Sequence, residues 1–398
     1  MKANENELFI HHVKIVLEDE VKIGAVHVKN GIIDALYTEE ASIDDISLPP
    51  GSSIVNGNGG WLLPGFIDMH VHGGFGGDFM NADGESFDRI TSYHASQGTT
   101  GMLATTMTAS KEAIEKVLLA VSDYQKEGMP HAQLLGVHLE GPFISEKWPG
   151  AQNPAYIREP QLSWLEAWTE RYPKLIKLLT LAPEKEGAAE TISWLAEHGI
   201  LAAAGHTDAN YSEMIKAADG GLSHAVHTYN AMKGLHHREP GTLGAVLTDD
   251  RIHAEIIADG EHVHPAAIAL MIKAKPIDKL ILITDAIEAA GMSDGNYNLG
   301  GLDVVVKNSV ARLRDGGSLA GSSLSMIRAF RYMLEHTKLS VQEISRMASG
   351  NPARELGIDK ETGSIAPGKQ ADLVLTDPSM SVVGTWVRGN RIFSSEDR

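Results

Sequence analysis

His70 and His72, separated by one valine, close the apolar run 62–69. A strand turns residues i and i+2 to the same side, so this pair can grip a single metal ion. Further imidazoles and carboxylates recur where later apolar runs end: His138 with Glu140, then His206, His227 and Asp285. The chain has no cysteine, so any metal must be held by nitrogen and oxygen, a donor set that suits zinc, iron, manganese or cobalt without choosing among them. One or two ions per subunit fit these residues. In a two-ion arrangement Glu140 would bridge, His70, His72 and Asp285 would serve one ion, and His206 with His227 would serve the other. A divalent ion brings the pKa of its water towards neutrality, which makes hydrolysis the natural reaction. Asp285, flanked by Ile283-Thr284 and Ala286-Ile287, belongs at a buried strand tip. There it can act as ligand, as a base that later returns its proton to a leaving group, or as both. His138 shares the side of Glu140 by the period of two and is expected to support a ligand rather than bind an ion.

These residues need a scaffold that gathers distant strand ends. Eight β-like runs are expected near 65–72, 101–107, 134–140, 178–182, 201–206, 225–229, 254–258 and 280–285. Amphipathic stretches at 85–97, 110–124, 188–198, 211–218 and 265–274 alternate with them. The alternation predicts an α/β fold, a (β/α)8 barrel, in which active groups sit where strands finish, as these do. An open doubly wound sheet is the alternative. Its phosphate turn would have to be the glycine-rich 73–77, directly after a histidine pair that points to metal instead. Gly98, Gly199 and Gly220 read as helix caps. Both chain ends carry short β-rich runs with turn signals such as Lys29-Asn30-Gly31. The stretch 291–301, rich in Gly, Asn, Asp and Ser, is expected to be a mobile lid or an exposed loop. His11, His12, His27, His94, His131, His198, His253 and His336 fall away from the strand ends and read as incidental. His224 opens the sixth run and is expected to pack or cap, facing away from His227.

At 398 residues, with 43% apolar and 22% charged side chains, the chain suits one large barrel with a smaller satellite. A net charge of −18 disfavours nucleic acid and anionic lipid as partners, so an anionic substrate needs a local cationic pocket. The start, Met1-Lys2-Ala3-Asn4-Glu5-Asn6-Glu7, is too acidic for a signal peptide, and no apolar run approaches membrane-spanning length. A cytoplasmic place is the expectation.

The segment from Pro64 to His72 resembles the opening motif of the amidohydrolase superfamily. More narrowly, His138-Leu139-Glu140-Gly141-Pro142-Phe143, Gly205-His206-Thr207, His227-Thr228-Tyr229-Asn230-Ala231-Met232, Arg238-Glu239-Pro240-Gly241, Thr284-Asp285-Ala286 and Leu319-Ala320-Gly321-Ser322 resemble its N-acetylglucosamine-6-phosphate deacetylase family. So does the run Ile257-Ala258-Asp259-Gly260-Glu261-His262-Val263. The resemblance implies a distorted TIM barrel at 62–362 and a small β-sandwich domain built from 1–61 and 363–398. It implies Glu140, His206 and His227 as core ligands and Asp285 as catalytic acid and base. It further implies an amino-sugar phosphate held by Asn230, Ala231 through its backbone, His262 and Arg238, with Arg238 reaching across a homodimer and His237 assisting it. Family members that lack the His-x-His pair use one metal and carry a histidine where this chain has Gln152. Keeping His70 and His72 favours two metals here and leaves Gln152 to orient the acetamide. Two rivals share the barrel. A cyclic-amide hydrolase of the dihydroorotase or hydantoinase kind would need a bridging lysine at the end of the fourth strand, but Lys174 and Lys177 stand at its start. A non-catalytic scaffold would show gaps among the ligands.

Overall fold

The computed structural model describes residues 7–38, 49 and 51–397; the acidic Met1–Asn6 stretch weighed above as a leader lies outside them. Eight strands run parallel and side by side: Phe66–Val71, Thr99–Thr106, Gln133–Glu140, Ile176–Leu181, Leu201–Ala204, Leu222–Ala225, His253–Ile257 and Leu280–Ile283. Their residues are mostly buried, with apolar ones predominating, as in strands covered on both faces. The ring closes just past the eighth strand. There the Asp285 N–H donates to His70 O at 2.8 Å, the His72 N–H donates to Ala286 O at 2.8 Å, and Val71 bridges Ala286. The Asp68 carboxylate reinforces the seam by accepting from Thr284 Oγ1 at 2.5 Å. Barrel closure therefore fixes His70, His72 and Asp285 to one another.

Helices between the strands start where short polar side chains can cap them. Asp83 caps Gly84–Ala95, Ser110 caps Lys111–Glu127, and Asn210 with Glu213 forms a capping box on Tyr211–Asp219. Pro265 opens Pro265–Ala274, where its missing N–H costs nothing. Gly220 keeps a right-handed backbone, and Gly221 takes the left-handed turn expected of it.

Strands from both termini form one hydrogen-bonded sheet, separate from the barrel: Glu7–Val16, Val21–Lys29, Ile32–Thr38, Ser53–Asn56 and Trp61–Pro64 with Leu373–Thr376, Val382–Val387 and Asn390–Ser394. It encloses its own apolar cluster, including Ile10, Val26, Leu62, Leu373 and Trp386. The Lys29-Asn30-Gly31 signal is a hairpin turn, with positive φ at Asn30 and Gly31. Trp61–Pro64 pairs within this sheet, which carries it to residue 64, past the boundary expected at 61.

Other expectations fail here, and the fifth and eighth strands, expected to reach 206 and 285, stop at Ala204 and Ile283. The sixth strand ends at Ala225 instead of spanning 225–229, so His224 lies inside it and His227 beyond it. The 291–301 stretch is not a free loop. Gly295–Leu299 joins Leu302–Lys307 and Val310–Leu313 in an antiparallel sheet, and Leu299, Val304, Val306 and Ala311 pack with Met107 and Ile287. Burial of Leu299 ties the segment down. Among the described residues, no helix is long and apolar enough to cross a membrane.

Candidate metal centre

Glu140, the last residue of the third strand, is the hub of the barrel mouth. Its Oε1 lies 3.3 Å from His70 Nε2, 3.2 Å from His206 Nε2 and 3.1 Å from His227 Nε2. Its Oε2 lies 3.2 Å from His72 Nε2, and Asp285 Oδ1 stands 3.3 Å from that same nitrogen. Two overlapping donor groups result, His70–His72–Glu140 and Glu140–His206–His227. All six side chains are buried, and all of them but His70 border a cavity of about 440 Å³ that Gln152, Asn230, Ala231 and His262 also line.

Backbone geometry aims three of these residues. His206, His227 and Asp285 each follow a strand that has already ended, and each has a left-handed φ, of 48°, 30° and 50°. That conformation is uncommon for residues other than glycine and persists only where surroundings hold it. Here main-chain bonds do so: Ser145 donates to His206 O, Thr228 to Glu255 O, and Ser322 to Asp285 O at 2.7 Å. Gly321 permits the last contact, because a Cβ there would come within 2.9 Å of Asp285 O.

The donors fit a divalent cation. His206 Nε2 and His227 Nε2 face each other at 3.1 Å, and His70 Nε2 is buried without a hydrogen-bond partner. His206 Nδ1 donates to Trp148 O at 2.9 Å and His70 Nδ1 to Glu255 at 2.9 Å, which leaves both Nε2 lone pairs on the side of Glu140. The local field asks for positive charge as well. Burial would lower the His72 pKa, but hydrogen bonds to Asp285 and Glu140 carry it up to about 9. Burial would raise Glu140 and Asp285, yet the imidazoles around them hold both below the ordinary carboxylate range.

The remaining expected residues divide. His138 is buried against His70, with ring centroids 4.6 Å apart, and its Nε2 pairs with Thr180 Oγ1 at 2.8 Å, away from the donors. Gln152 is expected to meet an acetamide. It lines the cavity, where its amide nitrogen bonds the Glu140 carboxylate while its Oε1 accepts from the Thr108 N–H at 2.7 Å. His262 is held by Asp259 at 2.7 Å; burial opposes its charge, but that carboxylate outweighs it and raises its pKa. Arg238 and His237 are exposed beside each other on the 236–239 turn and do not border the cavity within this chain. No lysine stands at the mouth end of the fourth strand, Ile176–Leu181.

Sequence reasoning missed Lys147 and Trp148, which line the cavity from a loop, and Glu255, whose carboxylate is fully enclosed behind His70. An acid inside the apolar strand His253–Ile257 was the available signal, since a buried carboxylate must have partners. His224 is one of them: set between Glu255 at 3.0 Å and Glu355 at 3.3 Å, it neither caps nor packs against apolar neighbours alone.

A closed parallel barrel that gathers imidazoles and carboxylates at the carboxyl ends of its strands belongs to the class of metal-assisted barrel hydrolases. The amidohydrolase family model matches residues 61–392, and the chain belongs to that family. It is 41% identical over 397 residues to N-acetylglucosamine-6-phosphate deacetylase of Bacillus subtilis, with 98% of each chain covered. It is 40% identical to N-acetylgalactosamine-6-phosphate deacetylase of Escherichia coli, covering 89% of this chain and 96% of that one. Among solved structures, it superposes with a TM-score of 0.89 and 31% identity on a substituted N-acetyl-D-glucosamine-6-phosphate deacetylase of Mycobacterium smegmatis in complex with N-acetyl-D-glucosamine-6-phosphate, covering 98% of this chain and all of that one.

Proposed function

We propose that the chain removes the acetyl group of N-acetylglucosamine 6-phosphate, giving glucosamine 6-phosphate and acetate. The observation that carries this reading is the convergence of four imidazoles on Glu140 beside Asp285, in a chain 41% identical to a relative named for that reaction. His70, His72 and Glu140 would hold one divalent ion, and Glu140, His206 and His227 would hold the same ion or a second. When bound, the metal supplies a water activated at neutral pH and a Lewis acid for the amide carbonyl.

Asp285 then moves the protons. As a carboxylate it accepts one from the attacking water, and once protonated it donates to the amide nitrogen, so the C–N bond breaks and a neutral amine leaves. Gln152 keeps the Glu140 carboxylate in place. Asn230, Ala231 and His262 would receive the sugar phosphate in the cavity they line, which Lys147 lines as well. Arg238 would complete that pocket from a second copy of the chain, because its own exposed turn does not border this cavity. The reading thus includes a homodimer and a cytoplasmic setting.

The 40% identical relative named for the galacto epimer favours a second substrate, N-acetylgalactosamine 6-phosphate. An acetate-release assay on both phosphorylated sugars, before and after chelation, tests the reading. We expect release from the gluco sugar with the higher kcat/KM, abolished by chelation and restored by zinc, iron, manganese or cobalt. No release with any of these metals would overturn the deacetylase, and a reversed preference would select the epimer.

A further inference from the structure

Glu255 stands behind His70, on the opposite side of the ring from Glu140. Its Oε2 accepts from His70 Nδ1 at 2.9 Å and from the His227 N–H at 3.2 Å, and its Oε1 accepts from His224 Nε2 at 3.0 Å. His224 Nδ1 lies 3.3 Å from Glu355, and His253 Nδ1 pairs with that same carboxylate at 3.0 Å. A continuous line, Glu140–His70–Glu255–His224–Glu355, therefore runs from the cavity to the helix Asn351–Glu355.

The four donor imidazoles are not backed alike. His206 has a neutral carbonyl behind it, whereas His72 Nδ1 and His227 Nδ1 are buried without a hydrogen-bond partner. His70 alone of the four has a carboxylate on its far nitrogen. A carboxylate in that place fixes the tautomer, locks the ring orientation and makes the near nitrogen a stronger ligand. His70 belongs to only one of the two donor groups, that with His72 and Glu140.

We propose that Glu255 is a positioning residue that gives the His70–His72–Glu140 group its affinity for a divalent cation, and so lets the chain hold a second ion beside the one at Glu140, His206 and His227. The inference rests on reading both groups as cation sites. His224 and Glu355 support it by backing the buried Glu255 carboxylate with a donor whose own far side is matched.

The test is equilibrium dialysis of the metal-stripped full chain against cobalt(II), read by elemental analysis without substrate. The wild type should take two equivalents. Glu255→Gln keeps the volume and one acceptor oxygen but not the charge, and should weaken one equivalent about 10- to 100-fold while leaving the other unchanged. His70→Asn should remove the same equivalent, and adding Glu255→Gln to it should cost nothing more. Glu255→Asp retains the charge but draws it back by one methylene; it should weaken the same equivalent less, and it carries the test should the Gln variant fail to fold. Equal weakening of both equivalents, no weakening of either, or a wild type that takes only one would overturn the proposal. A wild type that takes none would overturn the cation reading itself.

Discussion

Replacing Asp285 with Asn isolates the proton-transfer role, because the substitution changes charge and little else. Asp285 occupies a left-handed backbone with φ of 50°, a conformation that Asn tolerates nearly as well, so the turn after the eighth strand should survive. Alanine at that φ would add strain of roughly 1 kcal/mol and confuse the result. The carboxylate Oδ1 sits 3.3 Å from His72 Nε2 and 3.7 Å from His70 Nε2, and those imidazoles keep it ionised despite burial. It is thus a base at neutral pH, and general acid–base transfer is worth about 10²–10⁴ in rate. At 1.36 kcal/mol per tenfold, Asp285→Asn should raise the barrier by roughly 2.7–5.4 kcal/mol. The assay is acetate release at saturating N-acetylglucosamine 6-phosphate, with bound metal measured on the same samples. The variant should lose kcat with KM nearly unchanged, and the acid limb of its pH–rate profile should flatten. Retention of more than a third of wild-type kcat at equal metal content would refute the proton-transfer role. A loss of activity that followed loss of metal in proportion would instead make Asp285 a ligand only.

Arg238→Ala should raise KM for the phosphorylated sugar at least tenfold, on the scale of a charge-assisted hydrogen bond worth about 1.5–3 kcal/mol, and should scarcely alter KM for N-acetylglucosamine; equal effects on both would remove Arg238 from the phosphate pocket. His224, set between Glu255 and Glu355 and stacked near His253, gives a pH-dependent stability term. Burial would lower its pKa, but the two carboxylates carry it to about 9, so its contribution, roughly 3 kcal/mol on the 1.36 kcal/mol-per-unit scale, is full below about pH 6.5 and fades as pH rises through 9. The stability gap between wild type and His224→Gln in urea should therefore narrow from pH 6 to pH 9.5, and a gap independent of pH would show that His224 acts by packing alone.

The barrel was legible because its strands are apolar runs with polar ends, and the histidine pair because a strand alternates sides. Both signals are local. Glu255 escaped notice because its partners lie on other elements: His70 is 185 residues away in the chain, and Glu355 meets His224 from a helix 131 residues on. Gln152 was read from its place in a family motif, and its bond to the Glu140 carboxylate escaped notice because only the folded loop brings the two together. The 291–301 stretch misled by composition. Gly300 and Gly301 make a turn of a small sheet whose first strand holds Asn296 and Asn298, and the few apolar residues among and after them, Leu299 above all, decide where it rests.

Period-two reasoning also fails at the place where the site is made. His206, His227 and Asp285 were assigned to strand ends, yet each stands after its strand has stopped, turned inward by a left-handed residue that no alternation rule anticipates. A strand continued through these positions would divide successive side chains between the barrel interior and the helices outside. The left-handed turn bends the chain over the mouth instead, so His206 and His227 reach Glu140 and Asp285 reaches His72. Each turn costs on the order of 1 kcal/mol, and each is fastened by a main-chain bond to a neighbouring segment. Glycine would adopt the same backbone without strain but would bring no ligand. His, His and Asp at three strained positions, where glycine would sit more easily, are therefore what equips this barrel rim to hold a cation.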